Sequence, residues 1–143
     1  MTNEGLHSQR APEPVGAYPH AKRVGNLLFL SGVGPRQRGS SSIPGVTLDA
    51  DGAIAAYDIT EQCASCFANV RAVLEDAGSS WDNIVDVLVF LTNMKDDFKE
   101  YNAAYAAAFA GPGNPNPTRT TIEINALPTP IAIELKVIAT IDD

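Results

Sequence analysis

The chain has 143 residues, of which 45% are hydrophobic, and a formal net charge of −7. This length and composition indicate a single globular domain and exclude a disordered chain. The negative charge argues against a nucleic acid as a general partner, because phosphate binding needs clustered Lys and Arg. No apolar run reaches the roughly 18 residues of a membrane span, so we expect neither a nucleic-acid nor a membrane partner.

The first 14 residues are polar and lack the apolar centre of a signal peptide. We therefore expect residues 1–14 to be a flexible N-terminal tail and residues 15–143 to form one domain. For the same reason we expect the protein to be cytoplasmic.

A β-hairpin is the first predicted element of that domain. Gly25 and Asn26 form a two-residue turn signal between residues 15–24 and residues 27–32. The second of these runs is apolar on both faces, as a central strand is. Residues 34–45 are rich in Gly, Ser and Pro, which predicts a surface loop.

Two arginines in this loop, Arg36 and Arg38, allow two interpretations. They either keep the surface soluble or reach an anionic ligand. After the loop, residues 53–57 allow one more short strand.

A five-turn amphipathic helix is predicted next. Asp58 is its N-cap, Glu61 completes a capping box, and Gly78 ends it. Its apolar residues follow helical spacing on one face: Ile59, Cys63, Cys66, Phe67, Val70, Val73 and Leu74. The C-x-x-C pair lacks the βαβ context or second ligand pair of a redox or metal site. We interpret it as two core-facing thiols in a reducing compartment.

The second half of the chain starts with residues 84–92, which are β-branched and mostly apolar and predict an internal strand. A second helix follows, capped by Asp96 or Asp97. Its apolar stripe consists of Phe98, Tyr101, Tyr105 and Phe109. Asn102 falls on this stripe, so its amide either bonds a loop backbone in the core or turns into a binding site.

Residues 117–139 contain two runs of alternating apolar and polar side chains around a proline-rich turn. This pattern predicts an antiparallel hairpin. In that register Arg119 faces Lys136, and Glu134 is a diagonal neighbour roughly 7–8 Å away. Arg119 and Glu134 are then either a solvated ion pair, worth about 0–1 kcal/mol, or part of a small-molecule site. In such a site the guanidinium of Arg119 binds a carboxylate of the substrate, and the carboxylate of Glu134 orients or deprotonates a water.

The predicted fold class is α+β. One βαβ crossover lies within a mostly antiparallel mixed sheet, and both helices pack on one face. The other face of the sheet must also be covered, and the chain is too short to supply a third layer. We therefore expect self-association.

Several motifs resemble the Rid (YjgF/UK114) family of imine and enamine deaminases. They are Gly-Ala-Tyr-Pro-His-Ala at 16–21, Phe-Leu-Ser-Gly at 29–32, Pro-Thr-Arg-Thr-Thr at 117–121, Leu-Pro at 127–128 and Ile-Glu-Leu-Lys-Val-Ile-Ala at 133–139. The resemblance implies a chorismate-mutase-like single domain and a homotrimer with active sites between subunits. Within the family, the first motif and the arginine-bearing loop look most like 2-aminomuconate deaminase.

The resemblance also implies roles for individual residues. Arg119 would bind the substrate carboxylate and Glu134 would position the hydrolytic water. The cleft would be lined by Tyr18, Ser31 and Asn102. Thr121 stands where many members have Cys, and a hydroxyl there can only hydrogen-bond. His20 replaces the amide of the commoner motif, which changes the polarity of the pocket.

Three functions remain open at this point. The first is hydrolytic deamination of 2-aminomuconate to 4-oxalocrotonate and ammonia, in the degradation of aromatic compounds. It would need no metal or organic cofactor, because an imine carbon is already electrophilic. The second carboxylate of this substrate needs a donor, and the candidates are Arg36, Arg38, Lys22, Arg23 and His20. The alternatives are a generalist 2-iminobutanoate/2-iminopropanoate deaminase and a non-catalytic ligand-binding trimer.

Overall fold

The computed structural model describes residues 3–142, and Met1, Thr2 and Asp143 lie outside the described residues. A six-stranded mixed sheet has the order β1-β2-β3-β8-β6-β7, and two helices pack against one of its faces. The elements, in chain order, are β1 (Asn3–Leu6), β2 (Ala21–Val24), β3 (Leu27–Leu30), β4 (Val46–Leu48), β5 (Ile54–Tyr57), α1 (Ile59–Asp76), β6 (Ile84–Leu91), α2 (Met94–Phe109), β7 (Thr118–Glu123) and β8 (Ile133–Thr140). The predicted α+β fold is confirmed.

The strand pairing follows the predicted crossover. β6 and β7 are parallel and joined by α2, while β2–β3, β3–β8 and β6–β8 are antiparallel. β4 and β5 form a separate two-stranded sheet, so the short strand allowed near residues 53–57 exists. The turn at Gly25 joins β2 to β3 as predicted, with the glycine at φ 62°.

The predicted hairpin of β7 with β8 is wrong. β6 lies between them and pairs with both, in parallel with β7 and antiparallel with β8. The link between them contains Pro128 and Pro130, which lack the N–H groups of a paired turn. It also spans the roughly 9–10 Å across one intervening strand. The alternating pattern was a sound prediction of two strands, but it carries no information about which strands are neighbours.

Both helices begin and end on local signals. The Asp58 side chain accepts from the N–H of Glu61, which confirms the predicted N-cap of α1. The Asp58 N–H donates to the Gly45 carbonyl, so Glu61 does not close a capping box. Gly78 follows the helix with φ 89°, a conformation that glycine adopts without strain.

The predicted cap of α2 is wrong by three or four residues. Asn93 is the N-cap and accepts from the N–H of Asp96. Asp96 and Asp97 lie in the first turn instead, where negative charge also favours a helix. Asp97 is buried and accepts a 2.6 Å hydrogen bond from the hydroxyl of Tyr57, which ties β5 to α2.

The segment predicted as a flexible tail is packed onto the domain from residue 3 onward. Asn3–Leu6 pairs with β2, and Ser8 is only 2% exposed. Arg38 donates to the carbonyls of Ser8 and Ala11 and pairs with Glu13. These hydrogen bonds join the Arg38 side chain to backbone carbonyl groups. A prediction from amino-acid composition cannot identify such bonds.

The core lies between the sheet and the helices. It contains the inward residues of β3, β6 and β8 and the predicted apolar face of α1, including both cysteines. Burial raises the pKa of Cys63 to about 12 and that of Cys66 well above its usual value, so both thiols stay protonated. In the described chain no helix is long and apolar enough to cross a membrane.

The other face of the sheet is uncovered in a single chain. Apolar side chains on this face are half-buried or exposed: Leu27, Phe29, Leu88, Phe90, Ile122 and Ile138. Their alternation with buried residues along β3, β6 and β8 places them away from the helices.

Candidate active site

The first group of predicted site residues lies where β7 meets α2, and we call it the arginine cluster: Tyr101, Asn102, Tyr105, Arg119 and Thr121. β7 is an edge strand, so Arg119 is exposed. Its Nη1 donates to Asn102 Oδ1 at 2.8 Å. Its guanidinium carbon lies 4.7 Å from the ring centroid of Tyr105 and 5.5 Å from that of Tyr101. One amide and two aromatic rings therefore hold the guanidinium.

Thr121 is the second β7 residue of the arginine cluster. Its Oγ1 lies 2.8 Å from the hydroxyl of Tyr101, which is fully buried. Thr121 thus links β7 to α2 through a hydrogen bond. The hydroxyl of Tyr105 is buried and has no hydrogen-bond partner within residues 3–142, and burial raises its pKa to about 12.

The second group surrounds the half-buried carboxylate of Glu134, and we call it the glutamate pocket. Its other lining residues are Val15, Tyr18, Gly32, Gly34, Arg36, Pro128, Thr129 and Ile131. Burial raises the pKa of Glu134 above its usual value, and the nearby positive charge of Arg36 opposes this rise. A carboxylate with a raised pKa is suited to exchange protons near neutral pH.

Gly32 is in close contact with this carboxylate. A methyl group at position 32 would lie 2.5 Å from Glu134 Oε2 and 2.9 Å from Cδ. Because contacts that short do not occur, only glycine leaves the carboxylate where it is.

The two groups lie on opposite faces of the sheet. Arg119 is directly opposite Val87, which is opposite Val137, and both valines face the helices. Glu134 is three residues from Val137 and opposite Phe90, so its side chain leaves the sheet on the uncovered face. Arg119 and Glu134 of one chain therefore do not share a wall of one cleft, contrary to the predicted diagonal pair.

Two predicted site residues are hydrogen-bonded to backbone groups of the chain that precedes β2. His20 accepts from the Ser8 N–H at Nδ1, at 3.0 Å, and its Nε2 lies 2.8 Å from the Pro12 carbonyl oxygen. Both ring nitrogens are occupied, which leaves none for a ligand. Ser31 donates to the Pro19 carbonyl. Both residues line a second cavity beside the glutamate pocket, which also contains Tyr18 and Arg36.

Some residues of these two groups were not predicted as site residues. Tyr101 and Tyr105 were assigned to the core stripe of α2, and their helical spacing from Asn102 was the available signal. Gly32 and Thr129 reach the glutamate pocket from loops, where periodicity gives no signal. Lys136, on the same face of β8 as Glu134, is half-buried and donates to the Leu30 carbonyl, and burial lowers its pKa.

Comparison with known proteins places the chain in a family. The model of the family described as endoribonuclease L-PSP matches residues 8–141. A RutC family protein of Pyrococcus abyssi is 34% identical over 140 residues, which are 97% of this chain and 98% of that protein.

Solved structures are similar over the whole chain. Yeast Mmf1 has a TM-score of 0.82 and 29% identity, covering 99% of this chain and 100% of that one. YyfA of Yersinia pestis, described as a conserved Rid family protein of unknown function, has a TM-score of 0.79 and 29% identity, covering 98% and 100%. The resemblance inferred from the motifs is confirmed, and the chain belongs to the Rid (RutC/YjgF) family.

Proposed function

We propose that the protein is a hydrolytic imine and enamine deaminase whose substrate is 2-aminomuconate. The observation that carries the proposal is the state of Arg119. Within residues 3–142 it has no carboxylate partner, although Asn102 and Tyr105 hold its guanidinium in place. A fixed and unpaired guanidinium is a carboxylate receptor, because its parallel N–H groups match the two carboxylate oxygens.

The proposed reaction starts from the imine tautomer of the enamine. Arg119 binds the carboxylate next to the imine carbon. Its charge stabilises the electron density that moves onto the substrate as water attacks. Glu134 takes a proton from the water as the new C–O bond forms and delivers it to the imine nitrogen, which gives the gem-aminol. It then takes the proton of the new hydroxyl and passes it to nitrogen as the C=O bond forms and the C–N bond breaks. The products are the 2-oxo acid and ammonia, and the balance requires no metal or organic cofactor.

The sheet faces from which Arg119 and Glu134 project limit where in an assembly the proposed reaction can take place. Since they project from opposite faces of one sheet, they can act together only when Arg119 of one copy meets Glu134 of another. The half-buried apolar residues of the uncovered face, including Phe90 and Ile138, support such an assembly. We propose a homotrimer with its sites between subunits, in which each copy contributes an arginine cluster to one site and a glutamate pocket to the next.

The negative charge of the chain favours a small carboxylate as the ligand. The description of the family model, an endoribonuclease, would suggest RNA instead. A net charge of −7 is unfavourable for binding a phosphate backbone along its length. A single carboxylate needs only a local donor such as Arg119.

The deciding experiment measures ammonia release from 2-aminomuconate. The substrate is generated in situ, and its absorbance and free ammonia are followed with and without protein. We expect faster loss of substrate and stoichiometric ammonia, and no acceleration by the Arg119→Ala variant, which keeps its fold because the side chain is exposed. Near-normal deamination by that variant would defeat the assigned role.

Two outcomes would favour the alternatives. Faster turnover of simple monocarboxylic 2-iminoacids than of 2-aminomuconate would indicate a generalist deaminase. Binding of a 2-oxo acid without ammonia release from any imine would indicate a non-catalytic ligand-binding protein.

A further inference from the structure

Five basic side chains are candidates for the second carboxylate of a dicarboxylic substrate, and the structure separates them. Arg38 is occupied, since its Nε and Nη2 donate to backbone carbonyls and its Nη1 pairs with Glu13. His20 is occupied at both ring nitrogens. These two side chains hold the N-terminal segment and are not available to a ligand.

The two basic residues of β2 are far from Glu134. Lys22 is opposite Phe29, which is opposite Ile138, four residues along β8 from Glu134. That register separates them by roughly 13 Å along the strand and about 10 Å across it. Arg23 projects from the other face, opposite Leu28, and its Nε donates to the Gly25 carbonyl.

Arg36 is the candidate that lies beside Glu134, in the glutamate pocket. Among the described residues, Arg36 takes part in no ion pair. Its Nη2 donates to the Glu13 carbonyl at 2.8 Å, which leaves other N–H groups for a ligand.

The loop that carries Arg36 is held by α1. Asn69 Nδ2 donates to the carbonyl oxygens of Gly34 at 2.8 Å and of Arg36 at 2.6 Å, and Ser65 Oγ donates to that of Pro35 at 2.7 Å. Three hydrogen bonds from a helix to three successive carbonyls keep the arginine backbone in place. A receptor held in place in this way loses little freedom when it binds.

We propose that Arg36 binds the distal carboxylate of the substrate and makes the protein selective for dicarboxylic imino and enamino acids. The proposal rests on the deaminase function for its substrate class, and its residue assignment can be tested separately. A chain that ends in a methyl group leaves Arg36 without the charged partner it can bind. The expected preference for the dicarboxylate is about 10- to 100-fold, the range of a charge-assisted hydrogen bond to an arginine.

The test uses two substrates of equal length. Amino acid oxidase converts 2-aminoadipate to a dicarboxylic 2-imino acid and 2-aminohexanoate to a monocarboxylic one, and ammonia release from each is compared with the spontaneous rate. Calorimetric Kd values for 2-oxoadipate and 2-oxohexanoate give the same comparison without turnover. The variants are Arg36→Gln and Arg36→Lys.

Arg71→Gln is the matched control. Arg71 lies over Trp81, at 4.5 Å from the ring centroid, and about 200° around α1 from Asn69. The Arg71→Gln substitution removes one positive charge, as Arg36→Gln does, but from the side of α1 opposite Asn69. Circular dichroism shows whether each variant is folded.

We expect Arg36→Gln to bring the ratio of dicarboxylate to monocarboxylate, in turnover and in Kd, close to 1. Arg36→Lys should keep part of the preference, and Arg71→Gln should keep all of it. A preference that survives Arg36→Gln, or is absent from the natural protein, overturns the proposal even if both imines are hydrolysed. Binding of 2-oxoadipate that depends on Arg36, without ammonia release from any imine, supports the Arg36 assignment and rejects the deaminase.

Discussion

The arginine cluster and the glutamate pocket differ in how they are built. The first stands on regular structure: Arg119 and Thr121 on an edge strand, and Asn102 and Tyr105 on a helix. The second combines one strand residue, Glu134, with loop residues. The first group is open to solvent at Arg119, while Glu134 is half-buried with a raised pKa.

This difference assigns a task to each region. An exposed, immobilised guanidinium is suited to bind a charged group. A half-buried carboxylate beside a glycine and an arginine is suited to move protons. Because the two lie on opposite faces of one sheet, the proposed active site takes Arg119 and Glu134 from different copies of the chain.

The most direct test of this difference inactivates the arginine cluster in one chain and the glutamate pocket in another. Arg119→Ala and Glu134→Gln should each reduce kcat/KM by about 100-fold or more, the usual loss when one charge-stabilising or proton-transferring group is removed. When equal amounts of the two variants are refolded together into the proposed trimers, the mixture should recover about a quarter of the natural activity. About a quarter of all sites then take Arg119 from one variant and Glu134 from the other.

The controls for this experiment are each variant refolded alone and native mass spectrometry of the mixture. Recovery shows that the two regions act across subunits. If mixed oligomers form and remain inactive, the division of the site between copies is wrong.

A smaller effect is expected when the glutamate pocket alone is disturbed. Gly32→Ala places a methyl group 2.5 Å from Glu134 Oε2, so the carboxylate must move. We expect kcat to fall about 10- to 100-fold, the scale of a catalytic group displaced by about 1 Å. KM should change less, since Arg119 is untouched.

Gly5→Ala is the comparison variant for this change. Its added methyl group would lie 3.4 Å from Pro19 Cβ, an ordinary contact, and should leave turnover unchanged. Steady-state kinetics of both variants check the prediction, and a normal kcat for Gly32→Ala would contradict it.

The pH dependence of kcat/KM should distinguish the arginine cluster from the glutamate pocket, with a smaller effect than the changes above. As the proposed base, Glu134 acts in its ionised form, so kcat/KM should fall as pH drops through its pKa, which burial raises. Arg36 opposes that rise, so Arg36→Gln should move the acid limb to higher pH. Arg119→Lys, in the other region, should reduce kcat/KM and leave the limb in place. Unchanged limbs in both variants would reject Glu134 as the base.

The smallest effect concerns the support of the arginine cluster. Tyr101→Phe removes the hydrogen bond to Thr121 and should lower the free energy of unfolding by about 0.5–1.5 kcal/mol, as a single hydrogen bond does. Thr121→Val should cost more, because it removes one hydrogen-bond partner from the hydroxyl of the buried Tyr101. Urea denaturation measures both, and equal stability of all three proteins would show that the bond does not contribute.

Features encoded within a short stretch of chain were predictable from the sequence. Asp58, Gly78 and the apolar face of α1 needed only capping chemistry and a helical period, and each matches the structure. The β6-α2-β7 crossover was also predictable, since it follows from two strands separated by one helix. Asn102 was singled out because a polar residue interrupted an apolar stripe.

Features that depend on partners distant in sequence were not predictable in this way. The alternation of apolar and polar residues identifies β7 and β8 as strands, but it does not show that β6 lies between them. The polar N-terminal residues were assigned to a tail because their anchors, Arg38 and His20, are distant in sequence. The faces of Arg119 and Glu134 could not be assigned until the register of three strands was known.

The anchored N-terminal segment has a practical consequence. Ala11, Pro12 and Glu13 form one wall of the cavity next to Glu134, and Glu13 also holds Arg36 through its carbonyl. Removing residues up to Glu13, or fusing an affinity tag close to β1, would alter that wall although no reactive side chain is touched. Recombinant versions that carry extra residues should therefore carry them at the C-terminal side of β8, opposite the end of that strand that carries Glu134.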